Sequence, residues 1–392
     1  MPKNKVIREL RRLLSHIGRL PKALFYDPFR RIYFDWIERK EIIRFEGAVP
    51  RGDKIAIYLI FPRHRLLTSH LEAIRYIAAA GYAPLVVSNL PLTAEDRARV
   101  IAGAWRYLER PNFGYDFGGY RDAILEIERH LPDLKRLVIL NDSVWFPLPG
   151  ARDWIAQAEA SGLDFAAACS HATIYQMKRR PPRGSGLAEY QALEWVYRDK
   201  GNRRFHYVSF AQSLGPNVLR HPGFVRFWKR LRLSNSKSQT VRRGEVGFTR
   251  WIIKTGLSHG ETLNTATLPQ QLAELETAEL RHIAETAISF GHRYTARAQA
   301  AALTDPALDR ENLIRLILFV VARQGISYAV PNFTIPRGFA FLKKSPIWED
   351  RRASDITLDV IAGLEGDWAR TIHAEALSLL PFPAETRARA PG

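Results

Sequence analysis

Short apolar runs and helix-spaced stripes alternate along the first half of this chain. Residues 54–61 are apolar and rich in β-branched side chains, the pattern of a strand buried on both faces. Residues 68–80 carry Leu71, Ile74 and Ile77 at helical spacing, and Gly81 ends the stripe. A strand over 84–88 and a helix over 94–107 follow. A glycine-rich loop then leads into a helix over 122–130, and an apolar strand over 137–140 runs into Asn141, Asp142 and Ser143. A helix over 153–161 and a strand over 164–168 continue the alternation. The pattern predicts an α/β fold, a Rossmann-type, mostly parallel sheet with helices on both faces.

Beyond Ser170 the periodicity loosens. Residues 171–202 are polar, with 181–186 expected to form a mobile loop over the site. Residues 205–214 read as a strand, 222–231 and 245–255 as short helices, and 277–286 and 310–323 as later helices. The tail 384–392 reads as frayed. The predicted organisation is a basic helical segment over 1–46, a catalytic domain over 47–260 and a mostly helical extension over 261–392.

Charge changes the picture. The chain has 58 Lys and Arg against 40 Asp and Glu, a formal charge of +18, which attracts polyanions or anionic surfaces. Near the N-terminus Val6, Ile7, Leu10, Leu13, Leu14, Ile17 and Leu20 recur at helical spacing among basic residues. Such a helix either lies on an anionic membrane or packs on the main domain, and the sequence leaves both open. Basic tracts at 178–183, 198–204 and 229–243 are placed to meet phosphates or to stay solvated. The longest apolar runs fall short of the roughly 20 residues that cross a bilayer. Residues 1–21 lack the apolar core of a secretory signal. The single cysteine, Cys169, excludes an intrachain disulfide and a Cys-rich zinc site, which fits a cytoplasmic setting. Phosphate-loop, zinc-hydrolase, esterase and dinucleotide fingerprints are missing from the sequence, and so is the aromatic-basic pattern of common RNA-binding modules.

The candidate chemistry sits at strand ends. Asn112 and Asp116 flank Gly114, with Tyr115 between, where a backbone can approach a ligand closely. They read either as holders of a nucleobase or ribose or as caps of the following helix. Asp142 would lie beside a bound diphosphate at the rim of the sheet, and two anions there need a divalent cation or a sugar hydroxyl between them. With Asn141 and Ser143 as neighbours, a metal on Asp142 is under-liganded; a turn role for Asp142 also stays open. Glu245 opens a helix and is a candidate proton acceptor, and His206 is a secondary catalytic candidate.

Three segments, Arg110-Pro-Asn-Phe-Gly-Tyr-Asp-Phe-Gly-Gly-Tyr-Arg121, Leu140-Asn-Asp-Ser-Val-Trp-Phe-Pro-Leu148 and Glu245-Val-Gly-Phe-Thr249, resemble the rhamnan synthesis protein F family. His206-Tyr-Val-Ser-Phe210 with Phe224-Val-Arg-Phe-Trp228 is similar to the block between the last two, and Gly338 to Lys344 echoes the family's C-terminal part. The resemblance implies a GT-A-like glycosyltransferase of polysaccharide or lipopolysaccharide synthesis, peripheral on the inner face of a bacterial membrane. It implies a nucleoside-diphosphate sugar donor such as dTDP-rhamnose and a glycan or lipid-linked acceptor, with no nucleic acid partner. Asn112, Tyr115, Asp116, Asn141, Asp142 and Ser143 then hold the nucleotide-sugar, Asp142 takes Mg2+ or Mn2+, and Glu245 is the base of an inverting transfer. This chain departs from the pattern in having one acid where Asp-x-Asp is usual, and Val208 where glutamine is usual. A non-catalytic basic or scaffold protein of a polysaccharide-assembly complex is the competing reading.

Overall fold

In the computed structural model, residues 27–63, 65–171, 190–191, 195–197, 202, 204–306 and 308–381 are described. Of the expected helical segment over 1–46, residues 1–26 lie outside them, and the rest holds the helix Asp27–Trp36 but ends in a strand, Ile43–Glu46. The tract 178–183, most of 198–204, the loop 181–186 and the tail 384–392 also lie outside the described residues.

The main sheet has eight strands: β1 (Ile43–Glu46), β2 (Lys54–Ile60), β3 (Ala83–Ser88), β4 (Arg106–Glu109), β5 (Arg136–Asn141), β6 (Phe165–Ala167), β7 (Ala211–Leu214) and β8 (His259–Glu261). Their spatial order is β1-β4-β3-β2-β5-β7-β6-β8. Strands β2 to β5 are mutually parallel, and β8 is parallel to β6. Only β1 and β7 run against their neighbours. The chain builds outward from β2 through β3 to β4, then crosses back to place β5 on the other side of β2. The order therefore reverses between β2 and β5, and ligands of open α/β sheets gather at the C-terminal ends of strands at such a point.

Alternation along the strands explains why they read as unbroken apolar runs. Tyr58, Ile60, Val86, Tyr107, Val138 and Leu140 enter one core, while Ile57, Leu59, Val87, Leu108, Leu137 and Ile139 enter the other. Ile74 and Ile77 of the Thr68–Ala79 helix cover the first face, joined by Leu280, Leu316 and Phe319 from the C-terminal helices. Phe117, Tyr120 and Ile124 of the Tyr115–Glu126 helix, with Trp228 and Phe248, cover the second. A two-stranded ladder pairs Leu342 with Trp145 and Lys343 with Val144, which brings the C-terminal part of the chain to the end of β5.

Several boundaries differ from the sequence pattern. The helix expected over 94–107 ends at Gly103, and Arg106–Glu109 is β4; Tyr107 and Leu108 point to opposite cores, a strand alternation hidden behind helix-like spacing. The run 205–214 splits into His206–Tyr207, paired with Ser170–His171, and the antiparallel β7. On the Asp27–Trp36 helix, Phe34 is buried while Phe29 and Trp36 are 67% and 71% exposed, with Ile32 also outward.

Candidate active site

The glycine-rich segment forms its helix earlier than its composition suggests. The helix runs over Tyr115–Glu126, and Gly114 and Tyr115 enter it with φ of 83° and 51°, a left-handed geometry that costs free energy for tyrosine. Buried Arg110 fixes the approach: its Nε donates to Asp122 Oδ2 at 2.7 Å and its Nη2 to the Phe113 carbonyl at 2.9 Å. A Cβ on Gly119 would stand 2.4 Å from Leu59, so this glycine lets the helix press onto β2.

That placement turns Asp116 inward. Gly114 is the N-cap, and no side chain caps the helix; the capping alternative for Asn112 and Asp116 is therefore set aside. Asn141, the last residue of β5, donates from Nδ2 to Asp116 Oδ2 at 3.1 Å and to the Tyr120 hydroxyl at 2.8 Å. Ser143 Oγ donates to Asn141 Oδ1 at 2.6 Å. Tyr120 donates onward to the Ser209 carbonyl at 2.9 Å, and Ser209 Oγ donates to Glu245 Oε1 at 3.0 Å. His206 Nε2 lies 3.4 Å from Glu245 Oε2. The His206 Nδ1 proton goes to the Arg204 carbonyl at 2.8 Å, so Nε2 presents a proton to Glu245 only in the imidazolium form. One continuous network thus joins Asp116, Asn141, Tyr120, Ser209, Glu245 and His206.

Glu245 does not open a helix. The chain is already helical at Lys237–Thr240, passes through a π-helical turn at Val241–Glu245, and continues as Val246–Thr255. The dipole argument for Glu245 therefore fails, since helix-end effects fade within one turn. What positions the carboxylate is the π turn, a distortion that recurs at functional sites. Gly244 makes it possible: a Cβ there would stand 2.5 Å from the Phe117 ring.

Burial, then the charges of Glu245 and Asp142, push Asp116 up to about 7. Asp142 goes the other way. Burial opposes its ionisation, but His70, Lys344 and the Phe61 amide outweigh burial and hold it below the usual carboxylate range. Its Oδ2 accepts the Phe61 N–H at 2.6 Å and faces His70 Nε2 at 3.3 Å, so it bridges the ends of β2 and β5. The Leu67 amide donates to His70 Nδ1 at 3.2 Å, which leaves the His70 proton on Nε2, toward Asp142.

Residues 85–290, more than half of the chain, match the model of the rhamnan synthesis protein F family. The chain belongs to that family. An uncharacterized protein of Sinorhizobium fredii, y4gN, is 29% identical over 247 residues, which cover 63% of this chain and 58% of that one. The chain thus spans a little over half the length of that relative. Among solved structures, core-mannan synthase A from Aspergillus fumigatus in its Mn/GDP form overlaps 53% of this chain and 71% of its own at 11% identity and a TM-score of 0.28. The mannosyltransferase Ktr4p from S. cerevisiae overlaps 51% and 65% at 12% identity and a TM-score of 0.24. These overlaps are too loose to bear on the site.

Among the described residues of this family member the carboxylates do not form a metal cage. Among the described residues, no group of three or more His, Cys, Asp or Glu is arranged to hold a metal ion. One Asp142 oxygen already faces two hydrogen-bond donors, and Asn141 points its amide nitrogen, not its oxygen, at Asp116. The donors around Asp116 and Asp142 among the described residues do not by themselves make up the ligand set of a divalent cation.

Besides Asp142, which bonds to Phe61 and faces His70, two predicted residues stand apart from the network. Asn112 is exposed, and Tyr115 is 43% exposed, its hydroxyl donating to the Asn235 carbonyl at 3.3 Å. Sequence reasoning missed His70, Tyr120, Ser209, Lys343 and Lys344. Tyr120 lay inside the first motif and Ser209 inside the middle block; Lys343 and Lys344 lay in the C-terminal echo, whose contact with β5 no local pattern reveals. A surface hollow of about 620 Å3, lined by Arg226, Phe227, Arg230, Arg232, Arg243 and Trp251 among others, shares no lining residue with the network.

Proposed function

We propose that this protein is an inverting glycosyltransferase that moves a sugar, rhamnose by its family, from a nucleoside-diphosphate donor to a cell-surface glycan or lipid-linked acceptor. Synthesis of a rhamnan joins sugars, so family membership points to glycosyl transfer. The observation that carries the reading is the convergence of Asp116, Asn141, Asp142 and Glu245, from three distant segments, at the C-terminal end of β5 beside the switch point.

In this reading Asp116, Asn141 and Ser143 face the donor, and Asp142, held by His70, takes a sugar or ribose hydroxyl. Glu245 accepts the proton of the acceptor hydroxyl. That oxygen bonds to the anomeric carbon, the bond from this carbon to the diphosphate oxygen breaks with its electron pair, and the configuration inverts in the single displacement. Ser209 Oγ fixes the Glu245 carboxylate, joined by His206 when it is an imidazolium, and such positioning is a requirement for efficient proton transfer. Asn112 and Tyr115 form the outer edge of the donor site.

For location we propose that the outward face of the Asp27–Trp36 helix rests on an anionic membrane. Phe29, Ile32 and Trp36 form an exposed stripe, and the charge of +18 complements anionic lipid. No helix among the described residues is long and apolar enough to cross a membrane.

The test is release of nucleoside diphosphate from a panel of dTDP-, UDP- and GDP-sugars with an oligorhamnan acceptor. Wild type is expected to turn over at least one donor, and Glu245→Gln to lose at least about a hundredfold in rate while still binding that donor. Unchanged turnover in Glu245→Gln would remove Glu245 from the proton-transfer role.

A further inference from the structure

We propose that Lys343 supplies the positive charge that meets the donor diphosphate, in the place a divalent cation would otherwise take. The inference rests on the transferase reading above. Lys343 reaches the site because Leu342–Lys343 forms a ladder with Val144–Trp145 immediately after Asn141, Asp142 and Ser143. Successive strand residues point to opposite sides. Leu342 enters the core around Trp145 and Ile361, so Lys343 is turned toward the network.

Its ammonium lies 3.2 Å from Ser143 Oγ and 4.1 Å from the centre of the Phe210 ring. Asp116 and Glu245 are near enough to be felt electrostatically, yet neither forms an ion pair with it among the described residues. The neighbouring Lys344 is committed: it donates to Ser69 Oγ at 2.8 Å and lies 3.5 Å from Glu375. Lys343 is therefore a half-buried cation held by a neutral hydroxyl and an aromatic face, drawn toward Glu245 and Asp116 but in ion-pair contact with no carboxylate among the described residues.

The site needs that charge. Asp116, Asp142 and Glu245 are carboxylates, and an arriving diphosphate adds further negative charge that is unfavourable without a cation beside it. As the anomeric bond breaks, charge grows on the leaving oxygen, and a preorganised ammonium stabilises it most where water is excluded. Among the described residues the same carboxylate positions lack the arrangement for a metal, and a second cation next to Lys343 would be repelled.

Calorimetric titration of the folded full-length protein with dTDP, UDP and GDP, each in EDTA and again with Mg2+ or Mn2+, tests this. Wild type is expected to bind at least one nucleotide with an affinity that EDTA leaves unchanged. Lys343→Met should weaken it at least tenfold and Lys343→Arg by no more than a few-fold, with near-wild-type melting, since the ladder bonds are backbone ones. Binding that appears only with metal, or a Lys343→Met protein that binds as tightly as wild type, would overturn the assignment of Lys343 and leave the transferase reading standing. No binding under any condition would overturn both.

Discussion

Asn141 Nδ2 donates to Asp116 Oδ2 at 3.1 Å, and this bond ties the end of a central strand to the helix born from the glycine-rich loop. The same amide reaches Tyr120, so one side chain organises three polar groups. Asn141→Leu would leave the buried Tyr120 hydroxyl and the Asp116 carboxylate short of a donor. A loss of about 1–3 kcal/mol is expected, measured by denaturant unfolding, whereas an Asn141 that merely ends a strand would be replaced at little cost.

Asp116 carries a pH signature. Its folded pKa of about 7 lies above the ordinary 3.8 because of burial and then the charges of Glu245 and Asp142. A raised carboxylate favours the fold while protonated, so its contribution is complete below about pH 3.8 and is lost as pH rises through about 7. Asp116→Asn, always neutral, should therefore gain melting temperature relative to wild type between pH 5 and pH 8, by a few degrees for about 1–2 kcal/mol. A constant difference across that window would show that Asp116 is not raised.

Gly244 allows the π turn to sit on Phe117. Gly244→Ala puts a Cβ 2.5 Å from that ring, a buried aromatic in contact with Tyr120 and Trp228. Overpacking of this kind costs about 1–3 kcal/mol. It should also shift Glu245 and lower turnover more than it lowers nucleotide affinity, read as a fall in kcat at nearly constant KM.

The exposed helix stripe predicts lipid-dependent partitioning. Full-length protein should co-sediment with phosphatidylglycerol vesicles, and replacing Phe29 and Trp36 together by serine should weaken binding several-fold, with a further loss at high salt. Equal binding by the variant would place the contact elsewhere in the chain.

Much of this architecture was legible in the sequence. The central strands β2, β3 and β5 read cleanly because both their faces are buried, and the polar residues at the end of β5 stood out for the same reason. The start of the helix at Tyr115 was hidden because two glycines and a left-handed tyrosine look like loop. The position of Glu245 was misjudged because Gly244 reads as a helix boundary, although its lack of a side chain serves packing against Phe117 instead. Lys343 was passed over because its role depends on a ladder to Val144 some two hundred residues away, a contact that periodicity cannot encode. His70 looked like any polar residue in a helical first turn, whereas its imidazole orients Asp142.

The central claim is that this cluster grips an activated sugar through its nucleotide, and melting curves of wild type and Asn141→Leu with dTDP, UDP, GDP and their sugars test it most directly. At least one ligand should raise the wild-type melting temperature in a concentration-dependent way and leave the variant nearly unmoved. A wild-type protein indifferent to every nucleotide, or a variant stabilised as strongly as wild type, would contradict the account.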